Sequence, residues 1–135
     1  MARLNDMTVN PPTLEDIEAM ALSAMKTIPR ALLEQVGAVQ FVVADFPDRE
    51  ILDDMGAKSE FDILGLYSGI PFGEAGIVGV RQDVDRIFLY RRPILDYWCE
   101  TGDDLSHVVR HVLVHEIGHH FGLSDDDMER IEAAG

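Results

Sequence analysis

The sequence predicts a domain that mixes α-helices with a few short β-strands, on three observations. Two short runs, the β-branched Val39–Ala44 and the apolar and aromatic Arg86–Arg91, read as strands. Several other stretches carry apolar residues at helical spacing. One of these, Leu105 to Phe121, is long and apolar around most of its circumference, the pattern of a helix that runs through a core. A chain of 135 residues with 47% hydrophobic content suffices for one core, so a single domain over residues 1–135 is expected, with 1–12 as a flexible arm.

After Pro11-Pro12, Thr13 precedes Leu14, Ile17, Met20, Ala21, Ala24 and Met25, which share one side of a helix, and Asp16 three residues after Thr13 completes a capped start. Pro29 breaks this helix before a short turn over Ala31 to Gln35. Val39–Ala44 reads as a buried strand closed by Asp45 and Pro47, and Asp48 to Met55 as one or two helical turns. From Ile63 to Gly79, glycines at 65, 69, 73, 76 and 79 with Pro71 among them indicate turns and short extended pieces, without the Lys and Ser/Thr of a phosphate loop. Pro93 ends the second strand and leads into a helix through Tyr97 and Trp98. Thr101 to Asp104 supply a cap and first-turn acids for Leu105 to Phe121, Gly122 stands where a helix ends in a left-handed residue, and Ser124 caps a last helix over Asp125 to Ala133.

Lys and Arg number 11 against 25 Asp and Glu, a formal charge of −14. Such a surface repels phosphate backbones and anionic lipid, so neither nucleic acid nor membrane is an expected partner. No run approaches the roughly 18 to 20 apolar residues of a membrane span. The opening MARLNDMTVNPP lacks the apolar stretch of a secretory signal and the one cysteine, Cys99, has no partner for an internal disulfide, so a cytoplasmic location is expected. Cys99 beside Trp98 reads as a small core residue.

Residues 111 to 128, HVLVHEIGHHFGLSDDDM, gather four of the five histidines. At about 100° of rotation per residue, His115 and His119 fall about 40° apart, one turn above the other. In His115-Glu116-x-x-His119, two neutral imidazoles can bind zinc while the glutamate, about 60° from His119 around the axis, serves as general base without ligating the metal. Imidazoles and a carboxylate on a core helix need partners, and a divalent cation satisfies them together. Gly122, three residues beyond His119, can reverse the chain so that Asp125 swings back as a third ligand; Asp127 and Glu129 are its rivals. His111 pairs with His115 at the same spacing, but position 112 is valine and offers no base, so His111 reads as a supporting or structural group. His107 lies a further turn away, and His120 points about 100° from His119 toward other partners.

HEIGHHFGLSD fits the extended zincin pattern His-Glu-x-x-His-x-x-Gly-x-x-His/Asp, with Asp125 where most metzincins carry a third histidine. Together with LGLYSGIP and DRIFLYRRPILDYW, the run HVLVHEIGHHFGLSDDDMERI resembles the small bacterial zincin-like metallopeptidase family over roughly residues 63 to 132. The resemblance implies a compact zincin-like α+β fold, a small mixed sheet packed on an active-site helix, a bound zinc ion and peptidase activity on peptide or protein substrates. In larger metzincins a methionine turn lies under the metal; Met128 is the candidate for that place here.

On this reading His115, His119 and Asp125 hold the metal and Glu116 is the catalytic base. The nearest strand before the helix, Ile87 to Arg91, is the candidate edge for an added substrate strand. Tyr90 and Tyr97 are candidate donors to the tetrahedral oxygen but equally packing aromatics, and Arg91 and Arg92 more naturally pair with the acidic surface. The competing expectation is a zinc-stabilised binding or regulatory domain without turnover; a hydrolase acting on a non-peptide amide would use the same residues.

Overall fold

A computed structural model describes residues 10–69 and 85–134. Most of the predicted N-terminal arm, and the part of the predicted turn segment that holds Pro71, Gly73, Gly76 and Gly79, lie outside the described residues. The described elements are α1 (Leu14–Met25), α2 (Arg30–Val36), β1 (Val39–Ala44), α3 (Arg49–Met55), β2 (Gly65–Ser68), β3 (Asp85–Tyr90), α4 (Arg91–Thr101), α5 (Leu105–His120) and α6 (Asp125–Ala134). The strands form one sheet in the order β1-β3-β2, with β1 parallel and β2 antiparallel to β3. This is the expected α+β fold with a small mixed sheet.

Local chemistry accounts for the element ends. Thr13 and Asp16 form a reciprocal capping box at the start of α1. Pro29 opens α2, and the Asp48 side chain accepts from Ile51 N–H to cap α3. Pro93 sits in the first turn of α4, where no N–H partner is lost. At α5 the acidic cap expected from Thr101 to Asp104 takes a weaker form. Asp104 is the N-cap but makes no side-chain cap bond, and no acid occupies the first turn; only its carbonyl engages the helix, accepting from His107 and Val108.

Two strand expectations are corrected. β1 is half-buried rather than buried, because it lies at one edge of the sheet. β3, expected to offer a free edge, is the central strand, and its Ile87 and Leu89 are fully buried. The strand at the other edge is β2, a four-residue piece concealed in the sequence by the surrounding glycines. Among the described residues β2 pairs with β3 alone.

One face of the sheet carries the core. Ile87 and Leu89 pack with Ile17 and Ala21 of α1 and with Val109, Leu113 and Ile117 of α5, all fully buried. At about 1.5–3 kcal/mol for each fully buried large aliphatic side chain, this layer fixes α5 across the sheet. β2 approaches α5 at Gly65, where a Cβ would stand 2.8 Å from Val112 Cγ1 and 3.0 Å from Phe88 O. Cys99, expected in the core, is exposed on α4.

The chain reverses after α5 as the sequence predicts. Gly122 has φ +75°, the Leu123 N–H donates to Gly118 O at 2.8 Å and the Gly122 N–H to His119 O at 3.2 Å, the paired bonds of a Schellman ending. Ser124 then caps α6: the Asp127 N–H donates to Ser124 Oγ and the Ser124 N–H to the Asp127 carboxylate. Met128, fully buried on α6, packs on Gly118 so closely that a Cβ there would overlap it. Arg110 of α5 donates to Ile131 O and Glu132 O at 2.9 and 3.1 Å and to Thr27 Oγ1 at 2.8 Å. Contacts at both ends thus hold α6 back along α5.

Gly65→Ala is expected to destabilise the fold by about 1–3 kcal/mol, because backbone and a packed valine must both give way; urea unfolding should show a lower midpoint at unchanged slope. Arg110→Met should cost about 1–3 kcal/mol through lost charge-assisted bonds, with amide exchange accelerated chiefly in α6.

Candidate metal centre

α5 presents His107, His111, His115 and His119 at successive four-residue steps on the side away from the core, because Val109, Leu113, Val114 and Ile117 fill the buried side. The antiparallel return of α6 sets a second stripe against it. Asp125, Glu129 and Glu132, spaced four and three apart, line with His111 and His115 a cavity of about 430 Å³. Glu132 reaches furthest into the histidines: its Oε1 lies 2.8 Å from His111 Nδ1 and its Oε2 3.0 Å from His115 Nε2. The donor atoms of His111, His115 and Glu132 all lie within 4.8 Å of one another. The His111 and His115 rings are 4.2 Å apart, those of His115 and His119 5.7 Å apart and edge to face.

Of the predicted ligands, His115 and His119 share a second cavity with Glu116, bounded by Ile63, Leu64 and Gly65. Asp125 shares the first cavity with His115. Its rivals are placed differently. Asp127 is taken up by the Ser124 cap and an ion pair with Arg130, which hold its carboxyl below the usual range, whereas Glu129 faces the cavity beside Asp125. His120 stacks on Tyr67 with centroids 4.0 Å apart, and Tyr97 stacks on His111 at 6.2 Å. Arg91 pairs with Asp45 and donates to Pro12 O.

Sequence reasoning missed Glu132. The signal was available: it continues the Asp125, Glu129 spacing, and an antiparallel return at Gly122 must carry that stripe toward the earlier histidines of α5.

Glu116 occupies the seam between α5 and β2, its Cγ about one contact distance (3.5 Å) from where a Cβ on Gly65 would lie. Burial pushes its carboxyl above the ordinary range, while the neighbouring His119 charge and a backbone hydrogen bond from Tyr67 act in the opposite direction. Tyr67 is itself held, its hydroxyl donating to Asp85 Oδ2 at 2.6 Å; burial and that bond raise its pKa. The Tyr90 hydroxyl is buried without a hydrogen-bond partner among the described residues, and burial, with the charges of Asp48 and Glu116, pushes it up to about 12.

Imidazoles with a nearby carboxylate, partly exposed along a cavity, supply the nitrogen and oxygen donors that zinc takes. The donors of His111, His115 and Glu132 therefore fit the ion as they stand, whereas His119 and Asp125 line different cavities on either side of His115. A carboxylate set beside them but desolvated by its own surroundings can accept a proton, which is general-base chemistry.

Comparison with known proteins agrees with this chemistry. The family model described as zincin-like metallopeptidase matches residues 36–134, from the end of α2 through α6. No curated protein matches the chain. The match covers well over half of the sequence and contains the whole sheet, the histidine helix and the return helix; the chain belongs to the zincin-like metallopeptidase family.

Proposed function

We propose that the protein is a zinc-dependent peptidase of the cytoplasm, in which His115, His119 and Asp125 hold the ion and Glu116 is the general base. The observation that carries this reading is the position of Glu116: one carboxylate, desolvated, between two imidazoles of its own helix and the backbone of β2. When bound, zinc supplies Lewis acidity toward water and toward the scissile carbonyl. Glu116 accepts the proton of the attacking water and delivers it to the leaving nitrogen. Its raised proton affinity suits both halves of that transfer.

β2 supports the placement of a peptide. Tyr90 N–H donates to Leu64 O, so Leu64 faces β3, and by the alternation of antiparallel ladders Gly65 and Tyr67 direct their backbone groups to the outer edge, where Glu116 takes the bond from Tyr67 and the Gly65 groups face outward. An extended substrate can add there as a further strand beside Glu116. No helix among the described residues is long and apolar enough to cross a membrane. A second reading, a zinc-stabilised binding domain without turnover, draws on the His111, His115 and Glu132 cluster, which joins α5 to α6 without involving Glu116.

Glu116→Gln is expected to lower kcat/KM on peptides by at least about a hundredfold with zinc content unchanged; an unaltered rate contradicts the assignment of the base, and a wild type without turnover on any peptide favours the second reading. The acidic limb of the pH profile of kcat/KM should lie above the ordinary glutamate value of about 4.3, with activity lost as pH falls through it. Stability of chelated protein should show the matching sign. A carboxyl with a raised folded-state pKa contributes its stability at low pH and loses it as pH rises through that pKa, so Glu116→Gln should unfold at higher urea than wild type at neutral pH and without that advantage in acid.

A further inference from the structure

The zinc-binding pair proposed above uses two histidines of α5, but four of the helix's five, His107, His111, His115 and His119, stand one turn apart on its outer side. His111 and His115 repeat the spacing of His115 and His119 one turn earlier. The two repeats differ in the residue after the first histidine: Glu116 follows His115, and Val112, 4% exposed, follows His111. The earlier repeat therefore has the donors of a metal site and lacks a base in the corresponding place.

The third donor of this repeat comes from α6. Glu132 directs one oxygen to His111 and the other to His115, at 2.8 and 3.0 Å. Its position is enforced from the backbone, since Arg110 binds the carbonyl of Glu132 itself and that of Ile131. The Tyr97 ring lies nearly parallel to that of His111, with centroids 6.2 Å apart. Two imidazoles and a carboxylate, converging within 4.8 Å and each only partly exposed, are the donors of a three-ligand zinc site, with Asp125 and Glu129 along the open cavity that leads to it.

We propose that His111, His115 and Glu132 form a second seat for a divalent transition-metal ion such as zinc, without catalytic function. It shares His115 with the pair proposed for the reaction, so one ion occupies one seat or the other. An ion in the second seat stands one helical turn from His119, beside Val112 instead of Glu116. The seat serves to hold the ion next to the reaction centre and competes with it for His115. This inference rests on the peptidase reading only for the identity of the first seat.

The test is zinc binding, measured by elemental analysis of gel-filtered protein and by competition with a chromophoric chelator. Wild type should bind one ion per chain. His119→Ala should lose peptidase activity and still bind one ion, and adding Glu132→Gln to it should weaken that binding at least about tenfold. His111→Asn in the same background should do likewise, which guards against a folding defect in either double variant; circular dichroism must match His119→Ala. An ion lost completely from His119→Ala while wild type keeps both zinc and activity overturns the second seat and leaves the peptidase reading standing. Unchanged affinity in both double variants overturns it as well. An ion retained by His119→Ala and released by the added changes, in a protein whose wild type cleaves no peptide, supports the seat and counts against the peptidase.

Discussion

The reversal at Gly122 is the constraint on which the site depends. α5 is bound to the sheet by its buried aliphatic side, so its histidines are fixed in space before anything else is placed. What reaches them is decided by the next few residues. Glycine at φ +75° ends the helix, Leu123 closes the bond back to Gly118, and Met128 seats on the flat surface that Gly118 leaves. From there the helical repeat carries Asp125, Glu129 and Glu132 along one side of α6, opposite the histidines. A side chain at either glycine strains the turn or lifts α6 away, and the carboxylates go with it.

Glu116 belongs to a different neighbourhood from those acids, and that separation has chemical consequences. The acids of α6 are partly or fully exposed, and Asp125 and Glu129 line the cavity beside the histidines. Glu116 is pressed between α5 and β2, where desolvation raises its proton affinity. The acids of α6 and the carboxylate of Glu116 thus lie on either side of one histidine ladder, and only Glu116 is placed where burial favours its protonated form. Gly65 makes the second environment possible, because only a residue without a side chain lets β2 lie so close to α5. Met128, in the position considered for a methionine under the metal, supports the site from the far side of α5 by fixing α6 rather than through a turn of its own.

Much of this was legible in the sequence because the signals were local. Thr13 with Asp16, Pro29, Asp48, Gly122 and Ser124 each mark an element end through chemistry within a few residues, and each stands where expected. His115, Glu116 and His119 could be placed on one side of a helix by periodicity alone. What escaped depended on non-local pairing. β2 is four residues long among glycines, and nothing local distinguishes it from a turn; it makes β3 central and removes the edge assigned to it. Cys99 shares its segment with Trp98 but faces solvent on α4, since an apolar neighbour does not fix which side of a helix is buried. Glu132 lies in a run of ordinary surface acids until α6 is known to fold back.

The central claim is that a metal ion belongs between these two helices on the side of Glu116. Diffraction from crystals of zinc-loaded protein, recorded on both sides of the zinc absorption edge, tests it directly. The account predicts an edge-dependent peak bonded to His115 and His119 on the side facing Glu116; a peak found beside Glu132 alone would contradict that placement. A map with no such peak along the ladder, and with both rings of the pair bonded only to protein groups, would contradict it.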